Sequence, residues 1–228
     1  MVYILALETT SNICSVALYQ EDQLLGISEL QIEKSHSSHI TILIEQLLHN
    51  CQVSFSQLAA VTISGGPGSY TGLRIGSSTA KGLCFSLNIP LIEVSTLQAL
   101  ASEAIMYTPQ PQDLLFCPMI DARRLEVYTC ILNNTLDEIM PVAPLILEAA
   151  SFQDTLVDNK VLFFGSGAAK FSELIVNSTN ASFVHNVKPT AKYMGKLALD
   201  KYNKGAFEDV AYYEPFYLKE VYITKSNK

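Results

Sequence analysis

The spacing of apolar residues predicts the same order of strands and helices twice along the chain. In each half, runs rich in β-branched and alternating apolar residues predict three strands, and then helices with apolar residues at i, i+3 and i+4 alternate with further strands. The first set is expected at 2–7, 13–19, 23–30, 36–50, 58–63, 71–87, 91–94 and 95–106, and the second at 114–120, 125–132, 138–147, 148–157, 161–164, 168–176, 182–187 and 190–203. Two βββαβαβα units predict an α/β protein with a duplicated ribonuclease-H-like fold.

Domain limits follow from this repeat. Pro109 and Pro111 interrupt the pattern between the two units, so we expect a first domain at 1–108 and a second, smaller domain at 109–210. The remaining segment, 211–228, carries several aromatic residues. We expect it to pack back on one of the domains.

The stretch from Ser64 to Gly82, SGGPGSYTGLRIGSSTAKG, places loop glycines between a buried strand and a helix. Its spacing matches neither a phosphate-binding P-loop, nor a dinucleotide fingerprint, nor a serine hydrolase elbow. Within the helix, Gly72, Gly76 and Ala80 share one face, which predicts close approach by another helix or by a ligand. Anion binding at the helix N-terminus and plain turn chemistry both remain open.

Composition limits the class of protein. The formal net charge is −7, the sequence pI is about 5.1, and the arginine pair Arg123–Arg124 is the only one, so this chain alone is not expected to hold a nucleic acid. Neither a membrane span nor a signal peptide is indicated, which predicts a cytoplasmic protein without membrane contact. Five cysteines without a C-x-x-C pair suit reduced, buried thiols.

Several motifs together resemble one family. They are LALETTSNICSVAL near the N-terminus, GGPGSYTGLRIG, TAKGL, IPLIEVSTLQALA, IDARRLEVY and a late YLK. This set resembles the TsaB (YeaZ) family, the non-catalytic subunit of the bacterial machinery that makes N6-threonylcarbamoyladenosine (t6A) in tRNA next to the anticodon. The resemblance spans most of residues 3–128 and is thin thereafter. It implies an actin-like, hexokinase-like ATPase fold in both domains.

The resemblance also implies partners. A member of this family is a scaffold or activator that dimerises with the catalytic paralogue, TsaD, and recruits the P-loop ATPase subunit, TsaE. It meets tRNA only through the complex, and it is expected to form a homodimer when alone. The two helices 36–50 and 71–87 would then build a helical bundle with the same helices of the paralogue, although some of their residues must line the domain's own core. The predicted partner-binding residues are His36, Ile40, Leu43, Leu47, Gly72, Arg74, Ile75, Gly76, Thr79, Ala80 and Leu83.

No catalytic residue and no metal site is predicted in this chain. The paralogue holds its metal with two histidines at i and i+4, and the positions that match them here are Thr96 and Leu100, which are poor or impossible ligands. In the actin-like fold the first hairpin of each half meets the phosphates of a nucleotide. Weak cofactor contacts are therefore assigned to Glu8, Thr9, Thr10 and Asp121, with hairpin capping as the competing interpretation. We expect no cofactor, with ATP or ADP at the subunit interface left open.

Two other classes of function stay open. One is an autonomous enzyme, either an actin-like ATPase or kinase or a glycoprotease-like metallopeptidase. The other is a structural adaptor with an unknown partner. The missing histidine pair argues against the peptidase, and the glycine-poor hairpin turns argue against the kinase.

Overall fold

A computed structural model describes residues 1–32, 36–175 and 178–218. The first half contains β1 (Tyr3–Glu8), β2 (Cys14–Gln20), β3 (Gln23–Leu30), α1 (His36–Asn50), β4 (Leu58–Ser64), α2 (Tyr70–Leu87), β5 (Leu91–Val94) and α3 (Thr96–Tyr107). The second contains β6 (Leu115–Asp121), β7 (Glu126–Leu132), β8 (Glu138–Ile146), α4 (Gln153–Asp158), β9 (Val161–Phe164), α5 (Ala168–Leu174), β10 (Ala181–Val184) and α6 (Gly195–Asn203). No helix among the described residues is both long enough and apolar enough to cross a membrane.

Each half forms one five-stranded sheet with the same strand order. The orders are β3-β2-β1-β4-β5 and β8-β7-β6-β9-β10. In both sheets the first three strands pair antiparallel as consecutive hairpins, and the last two add in parallel through helical crossovers. The predicted duplicated ribonuclease-H-like fold is confirmed.

Two predicted helices of the second half begin later than expected. The helix predicted at 148–157 begins only at Gln153, because Phe152 takes a left-handed backbone conformation directly before it. The helix predicted at 190–203 is divided into a 3₁₀ turn, Ala191–Tyr193, and α6. Gly195 lies at this division against the ring of Tyr19, and any side chain there would collide with that ring. A local backbone conformation therefore marks the start of α4, and a tertiary contact that periodicity does not record marks the start of α6.

The last helix of each unit does not stay with its own sheet. Helices α1 and α2 cover one face of the first sheet, and Met194 and Ala198, from the C-terminal end of the second half, cover the other face. Helix α3 lies between the two sheets, with Ala99 packed against the first sheet and Leu100 against the second. Each sheet is built from strands on one side of the predicted limit at 108, within the predicted ranges 1–108 and 109–210. The last helix of each range, however, packs across that limit.

The C-terminal segment lies along α2 and returns to the glycine loop. The Lys81 ammonium donates to the carbonyl oxygens of Ala211 and Tyr213, both at 3.1 Å. The Phe216 amide donates to the Gly65 carbonyl at 2.8 Å, and the Tyr213 side chain is buried in the first core. Residues 211–218 thus pack on the first half, whereas 219–228 of the predicted segment lie outside the described residues.

This exchange of helices predicts that the first half does not fold alone. A fragment ending at residue 108 would expose the apolar face of the first sheet that Met194 and Ala198 cover in the full chain. We expect the fragment to show no cooperative urea transition, whereas the full chain shows one, as measured by circular dichroism. A cooperative transition in the fragment at the midpoint of the full chain would contradict this packing.

Candidate functional site

The first hairpin turn is held by its own acidic residue. Glu8 is fully buried, and its Oε1 accepts hydrogen bonds from the amide and the hydroxyl of Thr10, both at 2.6 Å. The hydroxyl of Thr9 donates to the Gly72 carbonyl at 2.8 Å, which ties the turn to the first turn of α2. These three residues, predicted as weak cofactor contacts, are occupied by bonds within the chain.

The glycine loop closes over this turn. An added side chain at Gly72 would collide with the carbonyl oxygen of Thr9, and one at Gly68 would lie 2.5 Å from Cβ of Thr10. The Ser69 amide also donates to the Thr10 carbonyl at 2.8 Å. The interpretation of the helix glycines as a device for close approach by a second helix is therefore wrong for Gly72. Its close neighbour is the β1–β2 turn of the same chain, and Gly76 likewise meets the Thr9 side chain.

This closure also bears on nucleotide binding. A phosphate in an actin-like site approaches the backbone of the first hairpin turn, and that approach requires free space and free amide groups. At Thr9 and Thr10 the space is filled by Gly68 and Gly72, and the Thr10 amide is bonded to Glu8. The residues of the first hairpin therefore do not fit a bound nucleotide.

Electrostatics at Glu8 agree with a structural role. Burial raises the pKa of Glu8 above its ordinary value, and the hydrogen bonds from Thr10 and the nearby Ser64 hydroxyl offset part of this rise. Its second oxygen, Oε2, makes no hydrogen bond within the described part of the chain, and the Ser64 hydroxyl pairs with Thr96 instead. A protonated Glu8 keeps its bonds from Thr10 without leaving a charge in the core.

The positions that match the metal ligands of the paralogue lie in the interior. Thr96 is fully buried, its hydroxyl lies 2.8 Å from the Ser64 hydroxyl, and its amide donates to the Gly66 carbonyl at 2.9 Å. Leu100 is buried in the core beneath the second sheet. Among residues 1–32, 36–175 and 178–218, no three His, Cys, Asp or Glu side chains are grouped to hold a metal ion.

The second hairpin differs from the first because its acidic residue is exposed. Asp121 Oδ1 accepts from the Lys170 ammonium at 2.7 Å and from the Arg123 amide at 2.6 Å. The Asp121 amide donates to the Ser166 hydroxyl at 3.0 Å. Asp121 thus caps the turn and forms an ion pair with Lys170.

The predicted partner-binding residues divide into two groups. Seven are buried in the chain's own first half, because the apolar stripe of α1 faces the sheet and the glycine face of α2 meets the β1–β2 turn. The contact that we predicted for their side chains is therefore corrected to a core role: His36, Ile40, Leu43, Leu47, Gly72, Gly76 and Ala80. The other four, Arg74, Ile75, Thr79 and Leu83, are exposed or half-buried.

A groove of about 480 Å³ runs between α1 and α2. Its lining is mostly hydroxyl and aliphatic groups: Ser37, Ile40, Thr41, Tyr70, Thr71, Arg74, Ile75, Ser78 and Thr79. Five of these residues are absent from the predicted partner-binding set: Ser37, Thr41, Tyr70, Thr71 and Ser78. The spacing could have identified two of them, since Tyr70, Arg74 and Ser78 follow one another at i, i+4 and i+8 on one helical face. We call the residues that line this groove, apart from the buried Ile40, the α1–α2 surface.

One rim of the α1–α2 surface is aromatic and cationic. The Arg74 guanidinium lies 5.4 Å from the ring centroid of Tyr70 and donates to its hydroxyl at 3.2 Å. The ring of Tyr217 packs against Tyr70 with centroids 5.0 Å apart. The C-terminal segment therefore forms a continuous surface with the rim of the groove.

The fold and the closed first hairpin define an α/β protein of the duplicated ribonuclease-H-like, actin-like class. The model of the family described as "TsaD: tRNA N6-adenosine threonylcarbamoyltransferase" matches residues 12–222. The chain is 32% identical over 205 residues to the tRNA threonylcarbamoyladenosine biosynthesis protein TsaB of Bacillus subtilis, covering 85% of this chain and 86% of that protein. The protein of the same name from Haemophilus influenzae is 29% identical, covering 95% and 93%.

A solved structure agrees with these relatives. The crystal structure of an uncharacterized protein with similarity to peptidase YEAZ from Pseudomonas aeruginosa superimposes with a TM-score of 0.84 at 26% identity, covering 96% of this chain and 100% of that one. The chain therefore belongs to the TsaB (YeaZ) family, as its motifs predict.

The contact between Gly72 and Thr9 predicts a large difference between two glycines of α2. Gly72→Ala should lower the free energy of unfolding by about 1–3 kcal/mol, because the new methyl group collides with a backbone carbonyl that cannot move freely. Gly82→Ala is the matched control on the same helix. No atom lies within 4 Å of its added carbon, so helix propensity should raise stability by about 0.5–1 kcal/mol. Urea unfolding measures both, and equal effects would contradict the closure.

Burial of Glu8 predicts a pH dependence of stability. Its pKa in the folded chain lies above the ordinary value of 4.5, so the folded state binds the extra proton between the two values and stability falls as the pH rises through that interval. Glu8→Gln keeps an acceptor for Thr10 and cannot ionise. We expect this variant to lose less stability than the wild type as the pH is raised above 4.5 in urea unfolding. Parallel pH profiles for the two proteins would exclude the effect.

Proposed function

We propose that this chain is a non-catalytic subunit required for t6A formation in tRNA, and that it acts by pairing with the catalytic transferase, TsaD, through the α1–α2 surface. The observation that carries this proposal is the groove between α1 and α2, with a half-buried aliphatic floor and an ordered rim at Arg74 and Tyr70. The names of its relatives, which concern tRNA threonylcarbamoyladenosine biosynthesis, supply the pathway.

The shape of this surface suits a helical partner. Two adjacent helices leave a groove between them, into which ridges of side chains from another helix can pack. Ile75 and Thr79 supply the small and branched groups in the groove, and Arg74 supplies a charge at its edge. A carboxylate of the partner would complete the pairing at Arg74. In the absence of the partner, the same surface would support a homodimer, since identical patches pair through a twofold axis.

Two features support a subunit without its own chemistry. The Thr96 hydroxyl contacts Ser64 in the interior and Leu100 has no ligand atom, so the positions that would hold the metal of the paralogue are unsuited to one. The glycine loop fills the space beside the first hairpin turn, so we expect no ATP hydrolysis there. Recruitment of the ATPase subunit TsaE, contact with tRNA through the complex and a cytoplasmic location complete the proposal.

A charged substitution in the groove tests the pairing. Ser78 is exposed and lines the groove, so Ser78→Arg should leave the fold intact and obstruct a partner helix. We expect the affinity for the purified transferase to fall at least about tenfold, which corresponds to about 1.4 kcal/mol, as measured by calorimetry. The t6A yield of a reconstituted reaction at limiting concentrations of this chain should fall with it.

The control for this test is Ser172→Arg. Ser172 lies on α5 in the second half, away from the α1–α2 surface, and receives the same change in charge and size. This variant should bind and support modification as the wild type does. Wild-type affinity in the Ser78 variant would show that the partner binds elsewhere. ATP hydrolysis or peptide cleavage by the purified chain would instead favour an autonomous enzyme.

A further inference from the structure

The chain contains only three arginines, and two of them are adjacent. Arg74 lies at the rim of the groove, and Arg123 and Arg124 form the tip of the β6–β7 hairpin. The other twelve of its fifteen cationic residues are lysines. Arginine differs from lysine because its planar guanidinium can donate two parallel hydrogen bonds to one phosphate or carboxylate. The two hairpin arginines are therefore two adjacent side chains that can bind phosphate, at the tip of one hairpin of an acidic chain.

The backbone at this tip is unusual for arginine. Arg123 has φ of 73° and Arg124 has φ of 49°, so two consecutive residues with side chains lie in the left-handed region. The turn is closed by the amide of Ala122 donating to Glu126 and by the amide of Glu126 donating to Arg123, both at 3.0 Å. Glycine or asparagine would be preferred in such a turn, and residues held in disfavoured conformations are frequent at functional sites.

Two acidic residues flank the tip along the chain. Asp121 precedes it, and its Oδ1 already accepts from the Lys170 ammonium and from the Arg123 amide. Glu126 follows it, and its backbone amide and carbonyl close the turn. Arg123 and Arg124 are both exposed, and neither takes part in an ion pair or a ring contact within the part of the chain that the structure describes.

We propose that Arg123 and Arg124 bind phosphate groups of the RNA backbone when this chain is part of the t6A complex, an inference that rests on the proposed function. An exposed pair of guanidinium groups at a hairpin tip can contact the phosphates of an RNA backbone without an enclosing pocket. The tip lines neither the groove between α1 and α2 nor the groove beside α4. A bound nucleotide would need an enclosed cavity and an acidic group for its metal, and Asp121 is engaged by Lys170.

This role is compatible with the acidic charge of the chain. A net charge of −7 opposes RNA binding by the whole surface, so the chain alone is not expected to hold RNA. Two phosphate contacts can still add to those of a larger complex, because each contact releases counterions and contributes separately to the salt dependence of binding. The hairpin would therefore contribute affinity that does not depend on the RNA sequence.

The double variant Arg123→Asn/Arg124→Asn tests the inference. Asparagine tolerates the left-handed region better than arginine, so the variant should unfold at an equal or higher urea concentration than the wild type. Binding of tRNA to the assembled complex is then measured over a range of salt concentrations. We expect the slope of log K against log salt to become less steep by about one to two units. The lysine pair, Arg123→Lys/Arg124→Lys, should keep most of the slope because it keeps both charges.

The outcomes separate this inference from the proposed function. An intact complex whose affinity for tRNA and salt slope are unchanged in the asparagine variant would overturn the inference alone. Failure of the wild-type chain to co-elute with the transferase would overturn both. Loss of ATP binding in the asparagine variant, with an unchanged salt slope for tRNA, would assign the arginines to a free nucleotide and would also overturn the inference. A reduced slope with rescue by the lysine pair supports it.

Discussion

The contact between the glycine loop and the β1–β2 turn is the constraint on which the rest of the structure depends. The Thr9 hydroxyl donates to the Gly72 carbonyl, and the Ser69 amide donates to the Thr10 carbonyl, so the start of α2 is held directly against the first hairpin. Close packing of this kind requires that Gly72 have no side chain. It sets the position of α2 on the sheet and leaves the opposite face of that helix outward, next to α1.

The same contact changes the chemistry of an actin-like fold. The first hairpin turn, where a phosphate would approach the backbone, is filled by Gly68 and Gly72, and the acidic residue at its base is buried. The two surfaces for which we propose partners, the α1–α2 surface and the β6–β7 hairpin tip, are external ones. All three arginines of the chain lie at these two places.

Much of the fold could be predicted, because strand and helix patterns are local properties of the sequence. The two βββαβαβα units and the starts of α1 and β9 follow from alternation and helical periodicity. The start of α6 could not be predicted, because it depends on the Tyr19 ring, which is remote along the chain. For the same reason periodicity did not show that Met194 and Ala198 cover the first sheet rather than the second.

The candidate site shows the same division. The sequence by itself determined the family, the poor ligands Thr96 and Leu100, and the fact that something must approach Gly72 closely. Only the tertiary structure decided what approaches it, because Thr9 lies 63 residues away in the sequence and belongs to the same chain. It also decided which predicted partner residues are core and which are surface, since an amphipathic helix shows its apolar stripe in the sequence but not the packing that covers it.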